Sequence, residues 1–208
     1  MNFFITATDT GAGKTFVTSL LVRGLRKAGI DVAPFKPICC GGREDAEALA
    51  SACGGRLSLN AINPVWLRTP AAPYAASLVE SRAVDLDLVR QNFRQLRNAF
   101  DSVLVEGVGG WLVPITRNYF VSDLAAEFGL PVVVVVGNRL GALNHTMLTV
   151  QNIKTRGVEC AGIILNQVDS APGDPATTTN RAILEEIAGA PILFEVDHGQ
   201  NTLEIGLA

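Results

Sequence analysis

A chain of 208 residues that is 48% hydrophobic and 18% charged has the length and balance of one α/β domain with a sizeable core. Seventeen basic against twenty acidic residues give a net charge of −3 with no Lys/Arg cluster, which speaks against a nucleic-acid surface and an anionic-membrane anchor.

In chain order, the apolar run 3–6 predicts a strand leading straight into "ATDTGAGKTF" at 7–16. Gly11 and Gly13 let successive backbone N–H groups face one point. Lys14 adds a mobile positive charge, and Thr15 offers a hydroxyl to Mg²⁺ where the next helix, 15–28, begins. Strand, glycine-rich turn and amphipathic helix in that order predict a phosphate-binding loop. The common pattern of Gly, four residues, then Gly-Lys-Ser/Thr asks for a glycine where this chain has Thr8, but the phosphate-facing half is intact.

A second strand, 32–35, ends at Lys36 within "APFKPICCGG". That lysine is either a solvated strand-end residue or, beside a phosphate loop, a second cation for a transferred phosphoryl group. Cys39 and Cys40 read as small buried residues rather than reactive thiols. A helix over 45–52 opens with Glu44 and Asp45, acids that either complement the helix dipole or serve the phosphate site. The Pro/Ala-rich stretch 63–77 reads as an irregular excursion. Helix 87–100 precedes strand 102–105, which delivers Glu106 to its carboxyl end before a glycine-rich turn. A carboxylate there suits the acidic Mg²⁺ partner of a phosphate-loop NTPase, the plain alternative being a solvated strand-end acid.

The rest alternates helix 121–128, strand 132–136, helix 144–155, strand 162–165, helix 177–188 and strand 192–194. Asn144 opens a helix whose free N–H groups either bind a carboxylate or need only a cap; Asn166 either reads a purine edge or caps a turn. His145 and His198 stand alone, and neither is expected to bind a metal. Continuous apolar strands separated by helices predict a single domain over 1–208, a mostly parallel β-sheet flanked by helices on both faces. Ligands in such sheets bind beyond the carboxyl ends of the strands. The longest apolar run, 130–136, is too short to span a bilayer, and no basic stretch precedes the first apolar run as in a signal peptide. Cys39, Cys40, Cys53 and Cys160 lack CxxC or metal-ligand spacing, so free thiols in a reducing cytoplasm are expected.

Together these motifs resemble, nearly end to end, those of the dethiobiotin synthetase family. The family loop Gly-Thr-Asp-Thr-x-x-Gly-Lys-Thr appears as "ATDTGAGKT", with Ala7 in place of the leading glycine, so the displaced glycine is a family trait. Lys-Pro-x-x-Ser-Gly appears as "KPICCG", Asp-Ala as "DAEAL", Glu-Gly-x-Gly-Gly-Trp as "EGVGGW", Asn-His-x-x-Leu-Thr as "NHTMLT" and the adenine-side Asn as "LNQ". The resemblance implies a phosphate-loop NTPase fold and an ATP- and Mg²⁺-dependent ligase of biotin synthesis, acting as a cytoplasmic homodimer. Such an enzyme joins CO₂ or bicarbonate to 7,8-diaminopelargonate and closes the ring to dethiobiotin.

The resemblance also implies roles for individual residues. Lys14 and Lys36 would be catalytic, and Thr15, Asp45 and Glu106 would hold the metal. ATP would be bound by Thr10, Gly11, Ala12, Gly13, Lys14, Thr15 and Phe16 of the loop, by Asp45, by Glu106, Gly107, Val108 and Gly109, and by Asn166, Gln167 and Glu204. Lys36, Cys40, Gly109 and Asn144 would meet the diamine, Asn144 across the dimer interface. The chain departs from the family in placing Cys40 where a serine is usual and Gly11 where glutamate is common. "VDHGQNTLE" replaces the usual adenine-side segment.

Two other classes compete. A non-enzymatic ATPase switch of the cell-division or partition type would carry an extra lysine early in the loop, where this chain has Thr8 and Asp9. Its membrane-bound members end in a basic amphipathic helix, unlike "NTLEIGLA". An amidotransferase-related ligase would need a glutaminase domain, for which 208 residues leave no room.

Overall fold

The computed structural model describes residues 2–168 and 175–206. Strand β1 (Phe3–Ala7) leads through the glycine-rich loop into helix α1 (Lys14–Lys27) and strand β2 (Val32–Phe35). Strand β3 (Ile38–Cys40), helices α2 (Glu44–Ala52) and α3 (Leu59–Ile62), strand β4 (Val65–Leu67) and helices α4 (Pro73–Val79) and α5 (Leu86–Ala99) follow. Strand β5 (Ser102–Glu106) is succeeded by the short hairpin β6 (Pro114–Thr116) and β7 (Tyr119–Phe120), then α6 (Val121–Phe128) and β8 (Val132–Gly137). The chain continues with α7 (Ala142–Thr155), β9 (Cys160–Asn166), α8 (Pro175–Ile187) and β10 (Ile192–Val196).

Six strands form one parallel sheet in the order β10-β9-β8-β1-β5-β2. The central strand β1 is apolar except for the buried Thr6 because both faces are covered: Phe4 packs with Phe35, Val105 and Val132 on one side, Ile5 with Leu104, Val133 and Val17 on the other. Helices α1 and α2 cover the Ile5 face, and α5, α6, α7 and α8 the Phe4 face. Pro34, which has no N–H to give a ladder, lies on the edge strand β2, the place a parallel sheet tolerates it. The predicted layering of helices on both faces therefore holds.

Three expectations shift. The helix expected from 144 begins at Ala142, so Asn144 lies inside its first turn. Helix α5 starts at Leu86, where the Asp85 carboxylate accepts from the Leu88 N–H as an N-cap. The stretch 63–77 is more ordered than its prolines suggest: Val65–Leu67 pairs in parallel with Ile38–Cys40, and Pro73 opens α4 at its first turn. Three-residue strands paired across such a distance leave no period for a sequence to display.

Candidate active site

The carboxyl ends of β1, β5 and β2 lie side by side, and each delivers one part of a polar cluster. After β1 the loop turns through Gly13 (φ 82°), where any side chain would collide with the Asn166 amide. Asn166 Nδ2 donates to the Ala12 carbonyl at 2.9 Å, tying the loop to the end of β9. Lys14 is buried at 9% exposure; burial first and the neighbouring Lys36 second push its pKa down to about 8.

Glu106, fully buried at the end of β5, is the hub. Its Oε1 accepts from Thr15 Oγ1 at 2.7 Å and from Lys36 Nζ at 2.6 Å, while its Oε2 is buried with no hydrogen-bond partner. A carboxylate so buried persists only because a cation faces it. Lys36 supplies that charge and also pairs with Asp45 Oδ2 at 2.8 Å and donates to the Gly107 carbonyl at 3.3 Å. Burial alone would lower the Lys36 pKa, but Glu106 and Asp45 outweigh it and hold the ammonium above the ordinary lysine range. Burial likewise works against charge on Asp45, and Lys36 first, then the Thr15 hydroxyl and Lys14, together outweigh it and leave that carboxyl below its usual range.

These groups border a cavity of about 610 Å³. Thr10, Gly11, Gly13, Lys14, Thr15 and Phe16 line it from the loop, Lys36, Cys40 and Asp45 from β2, β3 and α2, and Val108 and Gly109 from the turn after β5. Ala12 is buried behind the loop, and Gly107 contributes its carbonyl to Lys36. Burial pushes the Cys40 thiol up to about 11, with Glu80 adding to it, and the Cys39 thiol up to about 12, so neither is a thiolate at neutral pH. All four cysteines are free.

Other predicted residues fall outside the cavity wall. Asn144 is exposed on α7. Gln167 follows β9, its Oε1 accepting from Asn138 Nδ2 at 3.3 Å. Glu204 is exposed in the tail, whose Leu203 and Ile205 lie against Gly24, about 15 Å along α1 from Lys14 at 1.5 Å per residue. Conversely, the wall includes Gly42, Pro70, Ala71, Ala72 and Val113, which were not anticipated. The run of small residues and prolines right after Leu67 was the available sign of a close-packed wall.

Among the described residues, no group of three or more His, Cys, Asp or Glu side chains is placed to share a metal ion. The oxygen-only set of Thr15 hydroxyl, Asp45 carboxylate and unpartnered Glu106 Oε2 suits a hard cation such as Mg²⁺ that keeps water and phosphate as its other ligands. No helix among the described residues is long and apolar enough to cross a membrane.

A family model described as an AAA domain matches residues 1–202. The ATP-dependent dethiobiotin synthetase BioD of Akkermansia muciniphila is 48% identical over 204 residues, which is 98% of this chain and 95% of that protein. The protein of the same name from Endomicrobium trichonymphae is 40% identical, covering 91% of this chain and 89% of its own. Among solved structures, the MinC:MinD cell division protein complex of Aquifex aeolicus aligns with a TM-score of 0.57 over 95% of this chain and 81% of that one. At 15% identity that likeness concerns the fold alone.

Proposed function

The chain belongs to the AAA-domain proteins and, among them, to the ATP-dependent dethiobiotin synthetases, and from that premise we propose how its cavity performs the reaction. The observation that carries the reading is the second buried lysine, Lys36, held between Glu106 and Asp45 at the mouth of the phosphate loop. A nucleotide switch needs the loop but no such cation. Phosphorylating a carbamate brings one anion against another, and a preset positive charge stabilises that approach.

The substrates are ATP, CO₂ or bicarbonate, and 7,8-diaminopelargonate. One amine of the diamine adds CO₂ and loses a proton to give a carbamate. The carbamate oxygen attacks the γ-phosphorus of ATP, ADP leaves, and a carbamic–phosphoric anhydride forms. The second amine then attacks the carbonyl carbon, expels phosphate and closes the ring of dethiobiotin.

The loop N–H groups and Lys14 hold the phosphates, while Lys36, held by Glu106 and Asp45, presents its charge to the carbamate and the γ-phosphate. Thr15, Asp45 and Glu106 would hold Mg²⁺, which would offset charge on the phosphate oxygens. Cys40 and Gly109 border the diamine. Asn166, its Nδ2 committed to Ala12, offers its unpartnered Oδ1 on the adenine side, with Gln167 and Glu204. Asn144 does not line the cavity of its own chain, so its contact with the substrate carboxylate requires a second copy, a homodimer. Four free thiols fit a cytoplasmic location.

The competing switch reading is not favoured: the relatives at 40–48% identity are named synthetases, while the likeness to MinD is one of architecture. Incubation with Mg-ATP, bicarbonate and 7,8-diaminopelargonate should yield dethiobiotin by mass spectrometry, with ADP formed in step. ADP formation that ignores the diamine would reject the proposal.

A further inference from the structure

Lys36 and Asp45 meet at 2.8 Å, yet the chain between them gives no local reason for this. Strand β3 intervenes, then Gly41 and Gly42, and Gly41 sits at φ 81°. Helix α2, which carries Asp45, begins at Glu44 with Arg43 in the N-cap position and no side-chain cap. A flexible glycine pair before an uncapped helix leaves the direction of its first turn to outside contacts.

Those contacts converge on one buried amide. Asn63, 1% exposed, donates from Nδ2 to the main-chain carbonyl of Lys36 at 2.9 Å and to that of Val65 at 3.0 Å. The Lys36 carbonyl precedes Pro37 and lies just past the end of β2, where no ladder partner is provided. Asn63 Oδ1 accepts from Arg43 Nε at 3.0 Å, and its main-chain carbonyl accepts from Arg43 Nη2 at 2.8 Å. Arg43 reaches on to Asn60 Oδ1 and the Leu59 carbonyl and lies 5.4 Å from the Trp66 ring centroid. Both amide hydrogens and the amide oxygen are engaged, so the side chain has a single orientation.

We infer that Asn63 is a positioning residue for the phosphoryl-transfer centre, referencing the backbone of Lys36 and, through Arg43, the helix start bearing Asp45 to one fixed amide. This rests on the proposed roles of Lys36 and Asp45. Misplacement of either by about 1 Å is of the size that costs on the order of 10²-fold in rate.

The test uses Asn63→Ala, Arg43→Ala and the double variant, assayed for dethiobiotin formation. Each single change should lower kcat by roughly 10- to 100-fold with KM for ATP within about threefold, because the phosphate loop is untouched. The double variant should lose little more than the worse single one, as members of one unit do. Wild-type kcat in both variants, or losses that multiply, would overturn the inference.

Amide hydrogen exchange in the ligand-free protein gives a readout independent of activity. Exchange across 47–50, the first amides of α2 bonded within the helix, should quicken in Arg43→Ala and Asn63→Ala relative to the strands of the sheet, and unchanged exchange there would also overturn the inference. If Asn63→Ala does not fold, the half-exposed Arg43→Ala carries both readouts. A wild type that forms no dethiobiotin rejects the proposed reaction, whereas the tether stands or falls on exchange.

Discussion

The phosphate-loop end of the site and the end at which we propose the base to lie are put together in different ways. At the phosphate end, side chains from distant segments meet at close range: Thr15 and Lys36 both reach Glu106, and Lys36 reaches Asp45, all within 2.6–2.8 Å. At the base end, Asn166 gives its amide to the loop, Gln167 to a neighbouring asparagine contact, and Glu204 lies exposed on an extended tail. The first arrangement is anchored on strand ends and set before any ligand arrives. The second joins Asn166 at the end of β9 to connecting chain, and one departure from the family pattern, "VDHGQNTLE", falls there, while Gly11 and Cys40 depart at the phosphate end. On the proposed reading the chemistry rests on strand ends, and the base contacts rest partly on connecting chain, which tolerates change better.

The sharpest break of this contrast is Lys36→Gln. It should lower diamine-dependent ADP release by about 10²–10³ in kcat while nucleotide affinity changes far less. Normal turnover would mean that the buried cation serves folding alone. Next, Glu106→Gln keeps the shape but replaces a charged oxygen ligand with an amide. The Mg²⁺ concentration for half-maximal activity should rise on the order of tenfold, read by titration with the metal.

A pH series sharpens the comparison. Burial first, and Lys36 second, push the Lys14 pKa down from 10.5 to about 8, disfavouring its charged form. KM for ATP should be flat below pH 8 and climb toward tenfold per unit above it, as the protonated fraction that binds phosphate falls. The stability term has the opposite sign. Charge on Lys14 opposes folding below pH 8, and that opposition fades as pH rises from about 8 to 10.5. Lys36→Gln should move the KM break upward, since Lys36 is one cause of the depression. A break that stays in place would dissociate the two lysines.

The smallest effect is expected at the base end: Glu204→Ala should alter KM for ATP by less than about threefold, as for an exposed polar contact. A loss as large as that of Glu106→Gln would show the tail to be as firmly built into the site as the strands.

Much of this was legible in the chain. The apolar runs before the glycine-rich loop and before Glu106 are only three residues each, but their residues are consecutive because those strands are buried on both faces, and a residue after such a run emerges toward the strand's carboxyl end. Lys36 was visible by the same rule, although its pairing with Glu106 was not, since a sequence carries no distance between β2 and β5. The role of Asn63 was hidden for a related reason. It sits before a proline in a stretch that looks irregular, and its partners are main-chain carbonyls and an arginine twenty residues away. Asn166 could be placed at the rim, but the choice between base and loop depends on how closely the loop turns back at Gly13.

The place of β1 in the sheet has a consequence for how the protein is made. Its two neighbours are β5 and β8, so the segment bearing the phosphate loop has no strand to pair with until Leu104 and then Val132 have been synthesised. At roughly 5–20 residues per second, the wait for β5 is on the order of 5–20 s, during which "FFIT" stands as an unpaired apolar edge. The nascent chain thus passes through an interval in which the strand that leads into the phosphate loop lacks both of its sheet neighbours.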